Sequence, residues 1–529
     1  MTPDAVALSP VSFLNRSADV FPQDVAVVDE DGCEVSYADL RDRAAGLADA
    51  LRASGIRPGD RVAVLAPNTL DLLVAHFGVP GAGAVLVALN TRLGPAEYTH
   101  ILTHSRARVL LVDGSLTDSV ADLLDTVPGV EHVVQLGDAP AQLPGWLTYG
   151  EWSSAAEAGA GLSMPTDENT PIAVNYTSGT SGRAKGVVYT HRGAYLNSLG
   201  TAISFGLSRE TVYLWTLPMF HCNGWCFPWA VTAVAGRHVC LRKVEPAAVV
   251  RLIAARGVTH FCAAPVVLNA LINEPVAATT RFEQRVRVAT GGSPPSPTTI
   301  ARVRAMGIDL LHLYGLTETY GPSLLCEPQA GWTSLDDDSL ARTMARQGVR
   351  TPTVEGARVV DPGMADVPRD GVTVGEIVFR SNSVMAGYLD DADATAQAFA
   401  GGWFHTGDLA VVHPDGYIEI HDRAKDVIIT GGENVSSVEV ENVLMSLPGV
   451  LEAAVVGRPD ERWGEVPVAF VTLADGAAVS AEDLVAHVRS RLAHFKAPRD
   501  VVFTTLPKTS TGKVRKAVLR ESVVRGAHA

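Results

Sequence analysis

The sequence predicts an α/β protein of several domains. Helical patterns alternate with short Val- and Leu-rich strands over residues 36–170, which is typical of layered sheets covered by helices. From about residue 350 the pattern changes to short β-rich segments, and beyond residues 422–426 a small α/β tail follows. The chain has 529 residues, 47% of them hydrophobic, which is enough apolar material for a large core.

The region over residues 36–170 has the pattern of a scaffold. Residues 36–55 predict an amphipathic helix, with Ser36 as N-cap and Gly55 as C-terminal cap. The apolar stripe of this helix is formed by Leu40, Ala44, Leu47 and Leu51. Buried strands are predicted at residues 61–67, 108–113 and 131–136, with a further helix and strand over 71–89. Nothing in this region indicates chemistry.

A loop rich in Gly, Ser and Thr, running from Tyr176 to Val187 (YTSGTSGRAKGV), gives the strongest sign of chemistry. It lies between apolar runs that predict a strand on each side. The glycines let backbone N–H groups approach an anion, the hydroxyls add donors, and a lysine adds positive charge. The candidate phosphate-binding residues are Thr177, Ser178, Gly179, Thr180, Ser181, Gly182 and Lys185. A flexible linker is the alternative, but a linker needs neither the lysine nor the flanking strands.

Three later predicted strands end in small or polar residues. Residues 213–225 (YLWTLPMFHCNGW) predict an apolar strand that ends at His221. Residues 285–293 end in a Gly-Gly-Ser turn, and residues 308–319 end in the polar turn LTET. Because open α/β sheets bind ligands at the carboxyl ends of their strands, we expect a binding site at this edge.

Composition excludes several classes of function. The net charge of -15 argues against a nucleic-acid surface. The six scattered cysteines do not form a disulfide framework and fit a reduced compartment. The N-terminus lacks the pattern of a signal peptide, and no apolar run is long enough to span a bilayer. We therefore expect a cytoplasmic protein without stable membrane insertion, either a monomer or a homodimer.

Six motifs, in order along nearly the whole chain, resemble those of the acyl-adenylate-forming enzymes. They are YTSGTSGRAKGV, LPMFHCNGW, YGLTETYGP, TGDL, GYIEIHDRAKDVIITGGENVSSVEVE and PKTSTGK. The FHCNGW form and the overall layout are most similar to the fatty-acyl- and aryl-CoA ligase branch. The resemblance implies a large N-terminal domain (1–422), a small mobile C-terminal domain (423–529) and a hinge near Lys425.

The same resemblance implies a reaction in two halves. A carboxylate attacks the α-phosphate of ATP, giving an acyl-adenylate and diphosphate. The small domain then rotates, and the thiol of coenzyme A displaces AMP. The resemblance thus implies ATP, Mg²⁺ and coenzyme A, with a small carboxylic acid as the variable substrate.

Each candidate residue has a role that the resemblance implies. Lys185 would hold the β and γ phosphates, and Lys513 would offset charge developing between the carboxylate and the α-phosphate. Glu318 would bind magnesium, which accepts a single carboxylate because its other ligands are phosphates and waters. The implied nucleotide and coenzyme A contacts are Gly291, Gly292, Ser293, Tyr314, Gly315, Thr317, Asp408, Arg423 and Gly432.

Some of these residues have plainer explanations when taken singly. Thr317 and Glu318 could form a helix N-cap. Asp408 and Arg423 could be a structural ion pair. The C-terminal loop that carries Lys513 could be a solvated end of the chain.

Two further residues bear on the choice of acid. His221 and Trp225 would flank the acyl pocket, and His221 would also lie on the path to the thioester step. Amino-acid-activating relatives have an Asp where this chain has His221, so a buried substrate ammonium would be unpaired here. We expect a short- or medium-chain fatty acid, with benzoate- or cinnamate-type acids as the alternative. A luciferase-like oxygenase and a catalytically silent nucleotide-binding protein are the more distant alternatives.

Overall fold

The computed structural model describes residues 6–137, 145–154, 159–177, 184–474, 476–509 and 513–524. Its helices are α1 (Val11–Val20), α2 (Tyr37–Ala53), α3 (Leu70–Gly81), α4 (Pro95–Ser105), α5 (Tyr149–Ser154), α6 (His191–Phe205), α7 (Cys222–Trp225), α8 (Phe227–Ala233), α9 (Pro246–Ala255), α10 (Pro265–Ile272), α11 (Pro275–Thr279), α12 (Pro297–Ala305), α13 (Asp337–Met344), α14 (Ala392–Ala398), α15 (Ser437–Met445), α16 (Ala481–Arg489) and α17 (Lys516–Val524).

The strands in the same part of the chain are two to eleven residues long. They are β1 (Val25–Val28), β2 (Glu34–Ser36), β3 (Arg61–Leu65), β4 (Val85–Ala88), β5 (Ala107–Asp113), β6 (His132–Leu136), β7 (Leu147–Thr148), β8 (Pro171–Thr177), β9 (Lys185–Thr190), β10 (Val212–Leu214), β11 (Arg237–Val239), β12 (His260–Cys262), β13 (Val286–Thr290), β14 (Ile308–Leu316), β15 (Gly321–Leu325), β16 (Val349–Arg350), β17 (Gly356–Val360), β18 (Gly375–Arg380), β19 (Gly387–Tyr388), β20 (Phe404–Val412), β21 (Ile418–Arg423), β22 (Ile428–Thr430), β23 (Glu433–Val435), β24 (Val450–Asp460), β25 (Gly464–Leu473) and β26 (Asp500–Phe503).

Two large mixed sheets form the body of the N-terminal domain. One has the strand order β16-β15-β14-β13-β12-β10-β11-β1-β2, and the other has the order β19-β9-β8-β4-β3-β5-β6-β7. Strands β10 to β14 run parallel, so their carboxyl ends meet at one edge. Buried residues of both sheets and of α2, α3, α6 and α8 share one apolar core. This edge is where the sequence predicts a binding site.

Two smaller sheets follow. Strands β17, β18, β20 and β21 form an antiparallel sheet, which is the predicted β-rich part. Strands β22 to β26 form the sheet of the C-terminal domain, whose own core is closed by α15 and α16. The predicted fold class, a large α/β N-terminal domain with a small α+β C-terminal domain, is confirmed. The boundary after residue 422 and the hinge at Lys425 stay predictions.

Helix α2 shows how closely the local pattern sets the structure. The Ser36 hydroxyl accepts a hydrogen bond from Asp39 N at 3.1 Å, and the Asp39 carboxylate accepts one from Ser36 N, which makes a capping box. The predicted apolar stripe is buried. The cap and the stripe are therefore both confirmed.

One predicted element is wrong in length. The strand expected from residue 213 to His221 ends at Leu214 as β10. The chain then leaves the sheet, passing through Pro218, which has no N–H to donate to a neighbouring strand. His221 therefore lies on a turn beyond the sheet edge.

Over the described ranges, no helix combines the length and the apolar character needed to cross a bilayer.

Candidate active site

A small cavity of about 30 Å³ lies at the carboxyl ends of β13 and β14. It is walled by segments from the N-terminal domain and by one lysine from the C-terminal domain. The predicted site residues that line it are His221, Trp225, Gly291, Gly292, Tyr314, Gly315, Thr317 and Lys513. Residues from four distant motifs thus meet at one place.

His221 reaches the cavity because buried amides fix the chain before it. Asn68 accepts a hydrogen bond from Met219 N at 2.8 Å, and Asn175 donates to Phe220 O at 2.8 Å. Burial, followed by the positive charge of Lys513, lowers the pKa of His221 to about 3. The imidazole is therefore neutral at pH 7 and does not add a positive charge to the site.

The segment after His221 turns with the opposite hand to an ordinary helix. Residues 222–226 all have positive φ, between 47° and 64°, so α7 is a left-handed turn. For L-residues this conformation costs roughly 1–2 kcal/mol each. It places the Trp225 indole between two backbone segments: a Cβ added to Gly291 would lie 3.3 Å from the ring, and one added to Gly321 would lie 3.1 Å from it. A larger residue than glycine at either position would press against the indole and force it to shift.

Tyr314, Asp408 and Arg423 form one hydrogen-bonded group beside the cavity. The Tyr314 hydroxyl donates to Asp408 Oδ2 at 2.6 Å, and Arg423 Nε lies 3.1 Å from Asp408 Oδ1. Asp408 and Arg423 are register partners on β20 and β21, so the strand pairing sets this ion pair. Asp408 is 4% exposed and lies behind Tyr314, outside the lining of the cavity.

Lys513 enters from the C-terminal domain and is half-buried. Its backbone is tied to Thr509, whose N donates to Lys513 O at 2.7 Å. A Cβ on Gly292 would lie 3.4 Å from Lys513 Cε, which shows how close the side chain comes to the Gly-Gly turn. Desolvation, and then the charge of Arg423, lowers the pKa of Lys513, while Asp408 opposes this effect.

Lys185 and Glu318 are connected through a tyrosine that the sequence analysis missed. Lys185 Nζ lies 4.7 Å from the centre of the Tyr388 ring and 3.6 Å from Asp391 Oδ2. The Tyr388 hydroxyl donates to Glu318 Oε1 at 2.9 Å. Thr317 and Glu318 lie in the turn between β14 and β15, so the helix N-cap explanation for them is wrong.

Other predicted residues fall outside this constellation. Five residues of the predicted phosphate-binding loop lie outside the described residues: Ser178, Gly179, Thr180, Ser181 and Gly182. Thr177 and Lys185 are described, and they are register partners at the base of the loop. The predicted strands on both sides of the loop are confirmed as β8 and β9.

Three more predicted residues are not among those lining the cavity. Ser293 is exposed after β13. Gly432 lies in the β22–β23 turn with φ +87°. Lys425 is exposed in the turn after β21, and its pKa is lowered, first by desolvation and then by the charge of Arg423.

The residues that the sequence analysis missed lack a local pattern. Tyr388 lies in an ordinary turn-rich segment, MAGYLD, and its position between Lys185 and Glu318 arises only when β19 pairs with β9. Asn223 is in a quoted motif, but its partner His76 is 147 residues away. In both cases a tertiary contact, and not a local sequence pattern, connects the residue to the site.

Comparison with known proteins is consistent with this geometry. Residues 14–389 match the family model described as AMP-binding enzyme, and residues 439–513 match the model described as AMP-binding enzyme C-terminal domain. The chain belongs to the AMP-binding enzyme family. The predicted membership of the acyl-adenylate-forming superfamily, in its CoA ligase branch, is confirmed, and so is the prediction of an acid–thiol ligase.

Relatives of this AMP-binding enzyme align over almost the full length. An acetate/butyrate–CoA ligase of Arabidopsis thaliana, named as peroxisomal, is 45% identical over 97% of this chain and 94% of its own. An acetate–CoA ligase of Humulus lupulus has the same identity and coverage. A trans-cinnamate:CoA ligase of Petunia hybrida, also named as peroxisomal, is 38% identical over 98% of this chain and 94% of its own.

Solved structures of the same family have the same architecture. An anthranilate CoA ligase in complex with anthranoyl-AMP matches with a TM-score of 0.89 at 25% identity, covering 99% of each chain. ATP-bound MatB from Rhodopseudomonas palustris matches with a TM-score of 0.84 at 28% identity, covering 97% of this chain and 98% of its own. The cytoplasmic location and the oligomeric state of this AMP-binding enzyme stay predictions.

Proposed function

We propose that this enzyme joins short-chain carboxylic acids to coenzyme A, using ATP and forming an acyl-adenylate. The observation that carries the proposal is the position of Trp225, whose indole is held between Gly291 and Gly321 and closes a cavity of about 30 Å³. In this position the indole would block a long acyl chain, which would have to displace it from between the two glycines. Relatives named for acetate, butyrate and 2-methylpropanoate support this choice.

The cavity also fits an acid without an amine. Among the described lining residues there is no carboxylate, and the His221 ring is neutral. A substrate ammonium buried here would have no counter-charge, at a cost of several kcal/mol. An uncharged alkyl tail has no such cost.

In the first half-reaction the main obstacle is repulsion between two anions. An oxygen of the substrate carboxylate attacks the α-phosphorus of ATP, and the bond to diphosphate breaks. Lys513 would stand beside the reacting oxygens, because its side chain reaches the Gly292 turn where the carboxylate would bind. Its ammonium would stabilise the charge that builds up in the transition state.

Lys185 and Glu318 would serve the other end of the triphosphate. Lys185 would hold the β and γ phosphates together with Thr177 and the loop that follows it. Glu318 offers a hard carboxylate oxygen, and the Thr317 hydroxyl lies next to it in sequence, so this donor set fits Mg²⁺. When bound there, the metal would neutralise phosphate charge. Tyr388 contacts both Lys185 and Glu318 and would hold the two side chains in fixed positions relative to each other.

The Tyr314–Asp408–Arg423 group would bind the nucleoside. Asp408 is fixed by two donors and can accept hydrogen bonds from ribose hydroxyls. Tyr314 offers a ring for the adenine, with its hydroxyl already satisfied.

In the second half-reaction the small domain would rotate near Lys425, bringing Gly432 beside the thiol of coenzyme A. The thiol would attack the acyl carbonyl and release AMP.

Aryl acids are the second candidate, because a trans-cinnamate:CoA ligase is 38% identical over nearly the whole chain. The deciding experiment is an ATP–diphosphate exchange assay with a panel of acetate, butyrate, hexanoate, benzoate and cinnamate, followed by AMP release with coenzyme A. We expect acetate and butyrate to give the highest kcat/KM. Preference for benzoate or cinnamate would contradict the short-chain assignment, and exchange at background with every acid would refute the ligase function.

A further inference from the structure

Two residues of the proposed acyl pocket lie in or next to the left-handed turn over residues 222–226. His221 precedes the turn and Trp225 lies within it. A run of L-residues in this conformation is unfavourable, so contacts from elsewhere must hold it. The structure identifies what those contacts are.

Asn223, in the middle of the turn, is fully buried and bonded at both ends of its amide. Its Nδ2 donates to His76 Nε2 at 3.2 Å, and its Oδ1 accepts from the Tyr320 hydroxyl at 3.1 Å. His76 Nδ1 donates in turn to Leu72 O at 2.7 Å, which leaves Nε2 as an acceptor. Asn is also among the residues that best tolerate positive φ.

The groups around His76 keep its ring neutral. Burial lowers the pKa of His76 to about 4, and the Trp229 ring packs edge-on against it at 5.7 Å. His238 is a further titratable group near His76, and burial, followed by the effect of His76, lowers its pKa to about 3. The acceptor on Nε2 is thus available throughout the neutral pH range.

Tyr320 connects the turn to the opposite wall of the pocket. Its ring stacks on Tyr189 at 3.5 Å, and its carbonyl accepts from Asn197 Nδ2 at 2.8 Å. The next residue, Gly321, is one of the two glycines that hold the Trp225 indole. Asn223 therefore ties the left-handed turn that carries Trp225 to the Tyr320–Gly321 segment on one side of the indole.

Resting on the proposed function, we propose that Asn223 and His76 are positioning residues that set the depth of the acyl pocket by fixing Trp225. Neither side chain lines the cavity, so both act through the turn and through Tyr320. Their loss would let the indole move away from Gly321 and would weaken the preference for short acids over longer ones.

The test compares acetate and hexanoate in the full-length enzyme. Tyr320→Phe removes one hydrogen bond while keeping the stacked ring, and we expect it to raise the KM for acetate about five-fold. The kcat/KM for hexanoate should be unchanged or higher, and the KM for ATP should stay within two-fold. Asn223→Ala and His76→Leu should lower the ratio of kcat/KM for acetate to kcat/KM for hexanoate further. His76→Gln, whose amide oxygen can accept from Asn223, should restore part of the ratio.

Tyr37→Phe is the matched control, because Tyr37 is an equally buried tyrosine whose hydroxyl donates to Gly236 O at 2.5 Å. Tyr37→Phe should lower the Tm and leave the ratio of kcat/KM for acetate to kcat/KM for hexanoate as in the wild type. If the Tyr320, Asn223 and His76 variants behave like this control, the inference is overturned while the proposed function stands. If the wild type activates no acid at all, the proposed function fails and the inference fails with it.

Discussion

On the large-domain side of the cavity, Trp225 and Tyr314 are less than a tenth exposed and are held by close packing. On the small-domain side, Lys513 is half-buried and lies on a loop tied to its own neighbours through Thr509. The first side is preformed, whereas the second side consists of one charged group, which the proposed rotation of the small domain would withdraw.

This difference corresponds to the two halves of the reaction. Binding an acid and a nucleotide needs a rigid surface, because misplaced reactants lose most of the benefit of proximity. Offsetting the charge of the adenylation transition state needs a cation only during that step. In the proposed mechanism, a lysine on the smaller domain would meet this need and would leave room for coenzyme A afterwards.

Lys513→Ala should have the largest effect. We expect adenylate formation to fall by at least about 100-fold, because a charge aimed at the transition state is lost. Thioester formation from supplied acyl-adenylate should be retained. Lys508→Ala is the matched control, since Lys508 lies in the same loop and pairs with Glu452 at 2.5 Å. Equal loss of both half-reactions in Lys513→Ala would remove the distinction between the two sides.

Asp408→Asn should have the next largest effect, and it tests the preformed large-domain side of the cavity. The carboxylate bonds to Tyr314 and Arg423, and hydrogen bonds to a charged group contribute about 1.5–3 kcal/mol. We therefore expect the KM for ATP to rise roughly 10- to 100-fold. Asp415→Asn is the control, because Asp415 pairs with Arg346 at 3.0 Å in the same region without lining the cavity. An unchanged KM for ATP in Asp408→Asn would contradict its role with the nucleotide.

The pH dependence of adenylation should reveal the state of Lys513. Its pKa is lowered by desolvation, so the ammonium is lost at a lower pH than for an ordinary lysine, which titrates near 10.4. Adenylation should fall as pH rises through that pKa, by about tenfold per unit above it. Lys513→Arg should remove this decline, because arginine stays protonated. A decline that persists in Lys513→Arg would assign the titration to another group.

Asp422→Asn should have the smallest effect. Asp422 is buried at the end of β21 and accepts hydrogen bonds from Ser437 N at 2.6 Å and Ser437 Oγ at 3.0 Å. These bonds cross the predicted hinge, so weakening them should lower adenylation about five-fold relative to thioester formation. Glu482→Gln, on α16, is the control. A lower Tm with an unchanged ratio of the two half-rates would count against a role in domain closure.

The sequence was most informative where a motif needs particular residue types. The meeting of His221, Gly291, Tyr314 and Lys513 at one cavity follows from motifs at the ends of parallel strands and in the C-terminal loop. The bridge by Tyr388 and the bond between Asn223 and His76 join residues far apart in sequence, and no local pattern reports such contacts. The strand before His221 was predicted too long because the apolar run continues past Leu214, where the chain leaves the sheet and passes through Pro218.

The central claim is that lysines from two domains converge on one triphosphate. A crystal structure of the enzyme with Mg²⁺ and a non-hydrolysable ATP analogue tests it most directly. We expect the γ-phosphate beside Lys185 and the α-phosphate within reach of Lys513. A triphosphate bound away from these two lysines would contradict the account.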